Sequence, residues 1–304
     1  MNTRRIGSLT VSVVGLGCNN FGMTIDERQS AEVVHAALDA GINFFDTADI
    51  YGGTDSERFL GRALGARRRD AIIATKFGMR ANEEFAGGAR PDYVKRAADA
   101  SLTRLNVDRL DLYQLHKPDP SVPIADTLAA MNELVQAGKV REIGCSNFSV
   151  AQLREAEAAV KGGAAKFVSV QNEYSLLHRD PENGVLPECE RLGLAFLPYF
   201  PLASGLLTGK YRKGVAAAKG TRMQMAWAAS GMTDARMSTV EALRAIAART
   251  GHSLLQLAFS WLLRKSVVAS VIAGATKPEQ VQANAAAANW QISSDDVAAI
   301  DSCC

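Results

Sequence analysis

Several familiar signatures are missing from this chain of 304 residues, and each absence narrows what it can be. No two cysteines are spaced C-x-x-C. Cys18, Cys145, Cys189, Cys303 and Cys304 are scattered or terminal, which removes zinc-ribbon and thioredoxin-like readings. The odd count argues against a secreted disulfide scaffold and for a reducing cytoplasm, with Cys303 and Cys304 expected as exposed, oxidisable thiols. No apolar run approaches the ~20 residues that span a bilayer, and the opening MNTRRIGSLT has no apolar signal-like stretch, so no membrane role is expected. Strong charge of either sign is lacking too. The net charge is +2, and Arg67-Arg68-Arg69 is the longest basic run, which gives no basis for nucleic-acid binding. Gly15-Leu16-Gly17 is followed by Asn20 where a third glycine would complete G-x-G-x-x-G, so the dinucleotide-binding fingerprint is absent. No inter-domain linker and no internal repeat interrupts the chain.

What is present is an ordinary globular mix, 47% hydrophobic and 22% charged, arranged in a steady alternation. After a hairpin turning at Gly7-Ser8, short apolar runs read as buried strands at 9–16, 41–46, 71–76, 110–115, 140–145, 167–171, 194–199 and 267–272. Amphipathic segments between them read as helices at 26–40, 56–64, 90–105, 124–137, 149–160, 182–192, 238–250, 253–263, 278–287 and 293–301. Strand–helix units repeated in this way predict right-handed crossovers and a parallel sheet. The expected fold is a single (β/α)8 TIM barrel over residues 1–304 with an N-terminal β-hairpin, and a doubly wound open sheet is the runner-up. The pattern lapses over residues 200–236, a gap long enough to predict a lid loop after the seventh strand.

In such a barrel the C-terminal strand ends face the active site. Those ends carry Asp46, Lys76, His116, Ser146-Asn147, Gln171 and Tyr199, with Tyr51 on the loop after Asp46. Each alone has an ordinary explanation as a cap, a solvated lysine or a rim tyrosine. Their conjunction at one end of one sheet does not. A phenol with a pKa near ~10 is a poor acid at neutral pH, and a neighbouring ammonium is expected to lower that value. Asp46 would hold Lys76 charged, and His116 could donate a hydrogen bond to a carbonyl oxygen. This set suits protonation of an alkoxide developing as a carbonyl is reduced, with a cofactor supplying the hydride.

The segments GINFFDTADIYG (41–52), ATKFG (74–78), LYQLHKPD (112–119), EIGCSNFS (142–149), VQNEYSLL (170–177), PLASGLLTGKY (201–211) and IAGATKPEQVQAN (272–284) resemble the aldo-keto reductase family over essentially the whole length. The resemblance implies NADPH bound on a TIM barrel, no metal, and a small-molecule carbonyl substrate. It implies Tyr51 as general acid, helped by Asp46 and Lys76, with His116 orienting the carbonyl. Ser146, Asn147 and Gln171 would hold the nicotinamide carboxamide, and Tyr199 would stack on the ring. Gly17, Cys18 and Asn19 would line the cofactor. The 202–210 loop, with Leu202, Ser204, Gly205, Leu207 and Lys210, would cover the pyrophosphate, and Phe200, Pro201 and Arg222 are further expected cofactor contacts. Gly274, Thr276, Lys277, Gln280 and Asn284 would grip the adenosine 2′-phosphate and adenine. Phe21, Phe77 and Trp227 are expected in the substrate pocket, with Met223 and Met225 as further lid residues. The chain departs from the family pattern at Asn19, Phe200 and Gln280, the last standing where arginine is common.

The leading expectation is therefore a cytoplasmic NADPH-dependent reductase of aldehydes or ketones. Two rivals are a Schiff-base aldolase using Lys76 as nucleophile and a nucleotide-sensing interaction subunit with slow reductase chemistry. Oligomeric state is left open, leaning to a monomer.

Overall fold

The computed structural model describes residues 1–79, 85–160, 163–215, 229 and 231–304. The expected Arg222, Met223, Met225 and Trp227 lie outside these residues, as do residues 216–228 and 230 of the expected lid. Alternating apolar runs and amphipathic segments give the predicted architecture. Among the described residues, eight parallel strands form one sheet: β3 (Val14–Gly17), β4 (Phe44–Asp46), β5 (Ile72–Phe77), β6 (Leu110–Leu115), β7 (Val140–Ser146), β8 (Phe167–Glu173), β9 (Ala195–Tyr199) and β10 (Val271–Gly274). They pair in chain order, and β10 returns to pair with β3. The seam between β9 and β10 is closed by the Phe196 N–H on the Val267 carbonyl (2.8 Å) and the Ala269 N–H on the Phe196 carbonyl (3.0 Å). The result is a (β/α)8 barrel.

The surrounding helices are α1 (Glu27–Asp39), α2 (Asp55–Leu64), α3 (Pro91–Leu105), α4 (Ile124–Gln136), α5 (Val150–Ala159), α6 (Val185–Leu192), α7 (Asp234–Arg249), α8 (Leu254–Leu263), α9 (Pro278–Ala287) and α10 (Ser294–Asp301). Their starts are written in the sequence. Asp26, Ser149 and Ser253 close reciprocal capping boxes with Gln29, Gln152 and Gln256, which satisfy N–H groups left over at a helix start.

Strand period two divides the core into two layers. Side chains pointing outward, such as Phe45, Ile73 and Tyr113, pack against the helices. Inward-pointing Phe44, Ala74 and Leu112 form a separate cluster inside the barrel. The N-terminal hairpin, β1 (Thr3–Ile6) and β2 (Leu9–Ser12), contributes Ile6, Leu9 and Val11 to this inner cluster. The hairpin therefore plugs the barrel at the end away from the strand C-termini.

Several boundaries differ from the sequence reading. The strand expected at 9–16 is divided at Val13 into β2 of the hairpin and β3 of the barrel, and the one expected at 41–46 covers only Phe44–Asp46. The last barrel strand begins at Val271 rather than at 267, because residues 267–269 bond to Phe196 of β9 and only Val271 reaches the Val13 carbonyl beside β3. The helix expected at 182–192 is broken: a 3-10 turn (Asp180–Asn183) precedes Gly184, which starts α6. The helix expected from 238 starts at Asp234, capped by the Thr233 hydroxyl.

Leu9 is fully buried in the barrel floor. Leu9→Ala should cost about 2–5 kcal/mol of unfolding free energy, the range for a buried leucine truncated to a cavity. Urea unfolding monitored by far-UV circular dichroism measures this, and a loss below about 1 kcal/mol would mean that the hairpin is not part of the cooperative core.

Candidate active site

The same period that turns Phe44, Ala74 and Leu112 into the barrel places Asp46, Lys76 and Gln114, two residues further along each strand, in the next layer up. An apolar floor thus carries a polar layer. Lys76 is 1% exposed and Asp46 3%. The Lys76 ammonium donates to Asp46 Oδ2 (2.5 Å), the Thr47 carbonyl (2.9 Å) and the Tyr51 hydroxyl (3.5 Å). The other Asp46 oxygen, Oδ1, accepts from the amides of Gln171 (2.9 Å) and Gln114 (3.3 Å). The carboxylate so buried is paired and hydrogen-bonded on both oxygens, the condition for keeping an ion pair out of water.

Tyr51 arrives from the loop. A 3-10 turn (Tyr51–Thr54) follows β4, with Gly52 and Gly53 in the left-handed region at φ 59° and 63°. Gly52 serves a second purpose: a Cβ there would lie 2.4 Å from the Phe21 carbonyl oxygen, so the loop after β3 presses directly on the turn. Thr54 also sits at φ 85°, a conformation that strains a β-branched residue. The Tyr51 ring meets His116 edge-on, with centroids 5.8 Å apart, and Lys76 Nζ lies 5.1 Å from its centroid.

The electrostatics differ in one respect from the sequence reading. Burial pushes the Tyr51 phenol upward, Lys76 pulls it down, and Asp46 pushes it up again, leaving the net value raised. Lys76 does not lower it overall because burial is the larger effect and Asp46 offsets part of the lysine's pull. Burial pulls the Lys76 ammonium down, but Asp46 and Tyr51 outweigh this and hold it above the usual lysine value. His116 is 7% exposed, and burial followed by Lys76 and Lys117 lowers its pKa to about 3. Its imidazole is therefore neutral, with one ring N–H to donate.

Around this centre the other strand ends converge. The Ser146 hydroxyl donates to the Gln171 carbonyl (2.7 Å). Asn147, at φ 62°, donates to the His116 carbonyl (2.9 Å) and to Ser146 Oγ (3.1 Å), and accepts from the Tyr199 hydroxyl (2.8 Å). Gly17 and Gly274 are register partners, and a Cβ on Gly274 would lie 3.1 Å from Asn20 Nδ2 and 3.3 Å from Asn19 Oδ1. Cys18 is fully buried.

After β9, Phe200, Ala203, Ser204 and Gly205 all have positive φ. Leu207 is buried, and Lys210 Nζ lies 3.7 Å from where a Gly205 Cβ would be. Runs of such conformations turn successive N–H groups to one side, as in anion-binding nests. Pro201 is buried and Leu202 partly so. At α9, Lys277 is the exposed N-cap, the Gln280 side chain accepts from the Thr276 N–H (2.8 Å) and hydroxyl (3.2 Å), and Asn284 is buried.

The family model of the aldo/keto reductase family matches residues 13–304. The chain belongs to the aldo/keto reductase family. It is 33% identical over 297 residues to probable aldo-keto reductase 1 of Glycine max, an alignment covering 94% of this chain and 84% of that one. To aldo-keto reductase YhdN of Bacillus subtilis it is 35% identical over 298 residues, covering 95% and 88%. Among solved structures it is similar to a glycerol dehydrogenase from Gluconobacter oxydans, with TM-score 0.86 and 29% identity over 99% of this chain and 94% of that one. The holo form of an aldo-keto reductase from Bacillus halodurans gives TM-score 0.82 and 31% identity over 100% and 96%. Membership makes the chain an oxidoreductase of carbonyl compounds.

Two expectations about the substrate pocket need correcting. Phe21 and Phe77 are completely buried in the strand–helix layer, and Phe77 stacks on Tyr113 with centroids 4.5 Å apart. Neither lines an open pocket. Two residues carry more than the sequence reading gave them. Gln114 holds Asp46, and a polar residue at an inward strand position two before His116 was the signal for it. Asp49 is buried beside the turn of Tyr51, and nothing local announces that burial.

The depressed His116 value has a measurable consequence. Below the ordinary value of 6.5 the unfolded chain binds a proton that native His116 refuses until about pH 3. Stability present above the unfolded value is lost progressively as pH falls between those limits. His116→Gln should make unfolding less acid-sensitive in this window, as read by denaturation midpoints at several pH values. An unaltered slope would show that His116 is not buried in neutral form.

Proposed function

We propose that this chain reduces aldehydes or ketones to alcohols with NADPH, using Tyr51 as the general acid. The observation carrying this reading is the Tyr51 hydroxyl resting on a lysine that Asp46 already neutralises, beside a neutral histidine at the same rim. When bound, the reduced nicotinamide supplies a hydride to the carbonyl carbon. Everything else falls to the chain. Tyr51, its phenol held protonated by burial, gives its proton to the carbonyl oxygen as that oxygen gains charge. His116 donates a hydrogen bond to the same oxygen and, being neutral, does not compete as an acid. Lys76 stabilises the phenolate left behind.

The residues present fit a nicotinamide dinucleotide. Ser146, Asn147 and Gln171 offer amides and a hydroxyl at the rim for a carboxamide, and Tyr199, anchored through its hydroxyl to Asn147, offers a ring face. The positive-φ loop at residues 200–205 with Lys210 fits a pyrophosphate. The N-terminus of α9 with Thr276 and Lys277 fits a 2′-phosphate. The alcohol–carbonyl couple of a glycerol dehydrogenase relative is consistent with this chemistry. The aldolase reading loses support, since Lys76 is held charged by Asp46 and is a poor nucleophile. All five cysteines are free and no described helix is long and apolar enough to cross a membrane, and cytoplasmic work on a small molecule remains part of the proposal.

Tyr51→Phe keeps the ring and removes the proton. Steady-state reduction of an aldehyde should fall more than about a hundredfold, while NADPH still quenches intrinsic fluorescence at wild-type concentrations. Retention of activity within a few-fold would remove Tyr51 from the acid role.

Cofactor preference is expected for NADPH over NADH. A 2′-phosphate carries about two negative charges that need cations or N–H groups. Lys277 is exposed at the start of α9 with no ion-pair partner among the described residues, whereas the Gln280 side chain is engaged by Thr276. Lys277→Ala should reduce the NADPH/NADH ratio of kcat/KM by about tenfold, the effect of one exposed charge-assisted contact. An unaltered ratio, or a wild-type preference for NADH, would refute the assignment.

A further inference from the structure

Between Asp46 and Tyr51 lies a second buried acid that the chemistry above does not use. Asp49 is 1% exposed. Neither of its carboxyl oxygens has a well-formed hydrogen bond, although the Ile50 N–H acts to lower its pKa. Its backbone N–H donates to the Lys76 carbonyl (3.1 Å), so residue 49 stitches the loop of Tyr51 to β5. The charged groups facing it come from three elements. Glu57 of α2 is fully buried and accepts from Thr75 Oγ1 (2.5 Å) and Arg104 Nε (2.5 Å). Arg104 of α3 is thereby spent on Glu57. Lys76 of β5 is spent on Asp46. Tyr113 of β6 also faces Asp49, its hydroxyl donating to the Val94 carbonyl (3.0 Å). The one guanidinium that acts on both buried carboxyls is thus bonded to Glu57 and leaves Asp49 unpaired. A buried carboxylate without a partner is costly, so Asp49 keeps its proton well above the ordinary carboxylate range.

We propose that Asp49 is a positioning residue for Tyr51: neutral, it lets residues 47–54 pack against Glu57, and on ionising it repels Glu57, displaces that segment and turns carbonyl reduction down. Burial first and Glu57 second raise its pKa to about 7, with Arg104 pulling the other way. Ionisation therefore falls at neutral pH. The turn it would disturb is already strained at Thr54 and pinned at Gly52. Among the residues doing the chemistry, Tyr51 and Lys76 are raised above their ordinary alkaline values and His116 is lowered to about 3, so none of these three titrates there.

The inference rests on the reductase reading, and its test separates the two. In wild type, kcat/KM for aldehyde reduction should fall about tenfold or more as pH rises through the Asp49 value, the cost of a misplaced acid. Asp49→Asn, an isostere of the neutral form, should lose this break. Glu57→Gln should move it to lower pH by about one unit or more, because Arg104 then serves Asp49. Difference infrared spectra of wild type against Asp49→Asn read the protonated carboxyl directly, whatever the enzyme reduces. Its band should be present about one pH unit below the break and vanish above it. A break that persists in Asp49→Asn, a break unmoved in Glu57→Gln, no break in wild type, or no protonated band at the lower pH overturns the proposal. Failure of the reductase reading would instead show as a Tyr51→Phe variant that keeps its activity.

Discussion

The arrangement depends on one buried ion pair. Lys76 and Asp46 sit on adjacent strands, two residues above the apolar floor of the barrel, where either alone would be prohibitively costly to charge. Each is acceptable only because the other is there and because Gln114, Gln171 and the Thr47 carbonyl take the remaining hydrogen-bonding capacity. The pairing also dictates register. Since side chains alternate faces, a slip of one residue in β4 or β5 would turn one partner outward into the helix layer and strand the other. The polar layer is therefore a constraint on the fold as much as a site within it.

From that pair follow the states of its neighbours. Burial dominates the phenol of Tyr51 and keeps it protonated, with Asp46 offsetting part of the pull of Lys76. The same cation, seen from His116, adds to burial in keeping the imidazole neutral. One proton donor and one hydrogen-bond donor, both uncharged at neutral pH, stand on a locked ion pair. That division of labour arises from spacing along three strands and one turn, without any group having an unusual intrinsic chemistry.

Much of this was legible in the sequence, and the failures are instructive. Asp46, Lys76 and His116 could be found because each ends or just follows an apolar run, and in a parallel barrel all such ends share one rim. Phe77 was misplaced although the rule that excludes it was at hand. With Lys76 pointing inward, the next residue must point out, and Phe77 does, onto Tyr113. The start of β10 was misjudged because an apolar run does not say which neighbour will bond it, and β9 takes residues 267–269. Asp49 and Glu57 were unreadable as buried acids. Both are covered from β5, and Glu57 also from α3, and no local pattern of polarity encodes such contacts.

The closure of the barrel has a bearing on how the molecule is made. β10 is synthesised last among the strands yet lies between β3, the first of the barrel strands, and β9. While the C-terminal part is still emerging from the ribosome, seven strands can align in order, but the sheet keeps two raw edges. The hairpin can cover the floor early, since Ile6, Leu9 and Val11 meet Phe44, Ala74 and Leu112 as soon as β6 exists. The edges themselves must wait for residues 267–274. A nascent or prematurely terminated chain therefore exposes hydrogen-bonding strands at the stage when its interior is nearly complete, and it is that interval, rather than the finished barrel, that a chaperone would have to guard.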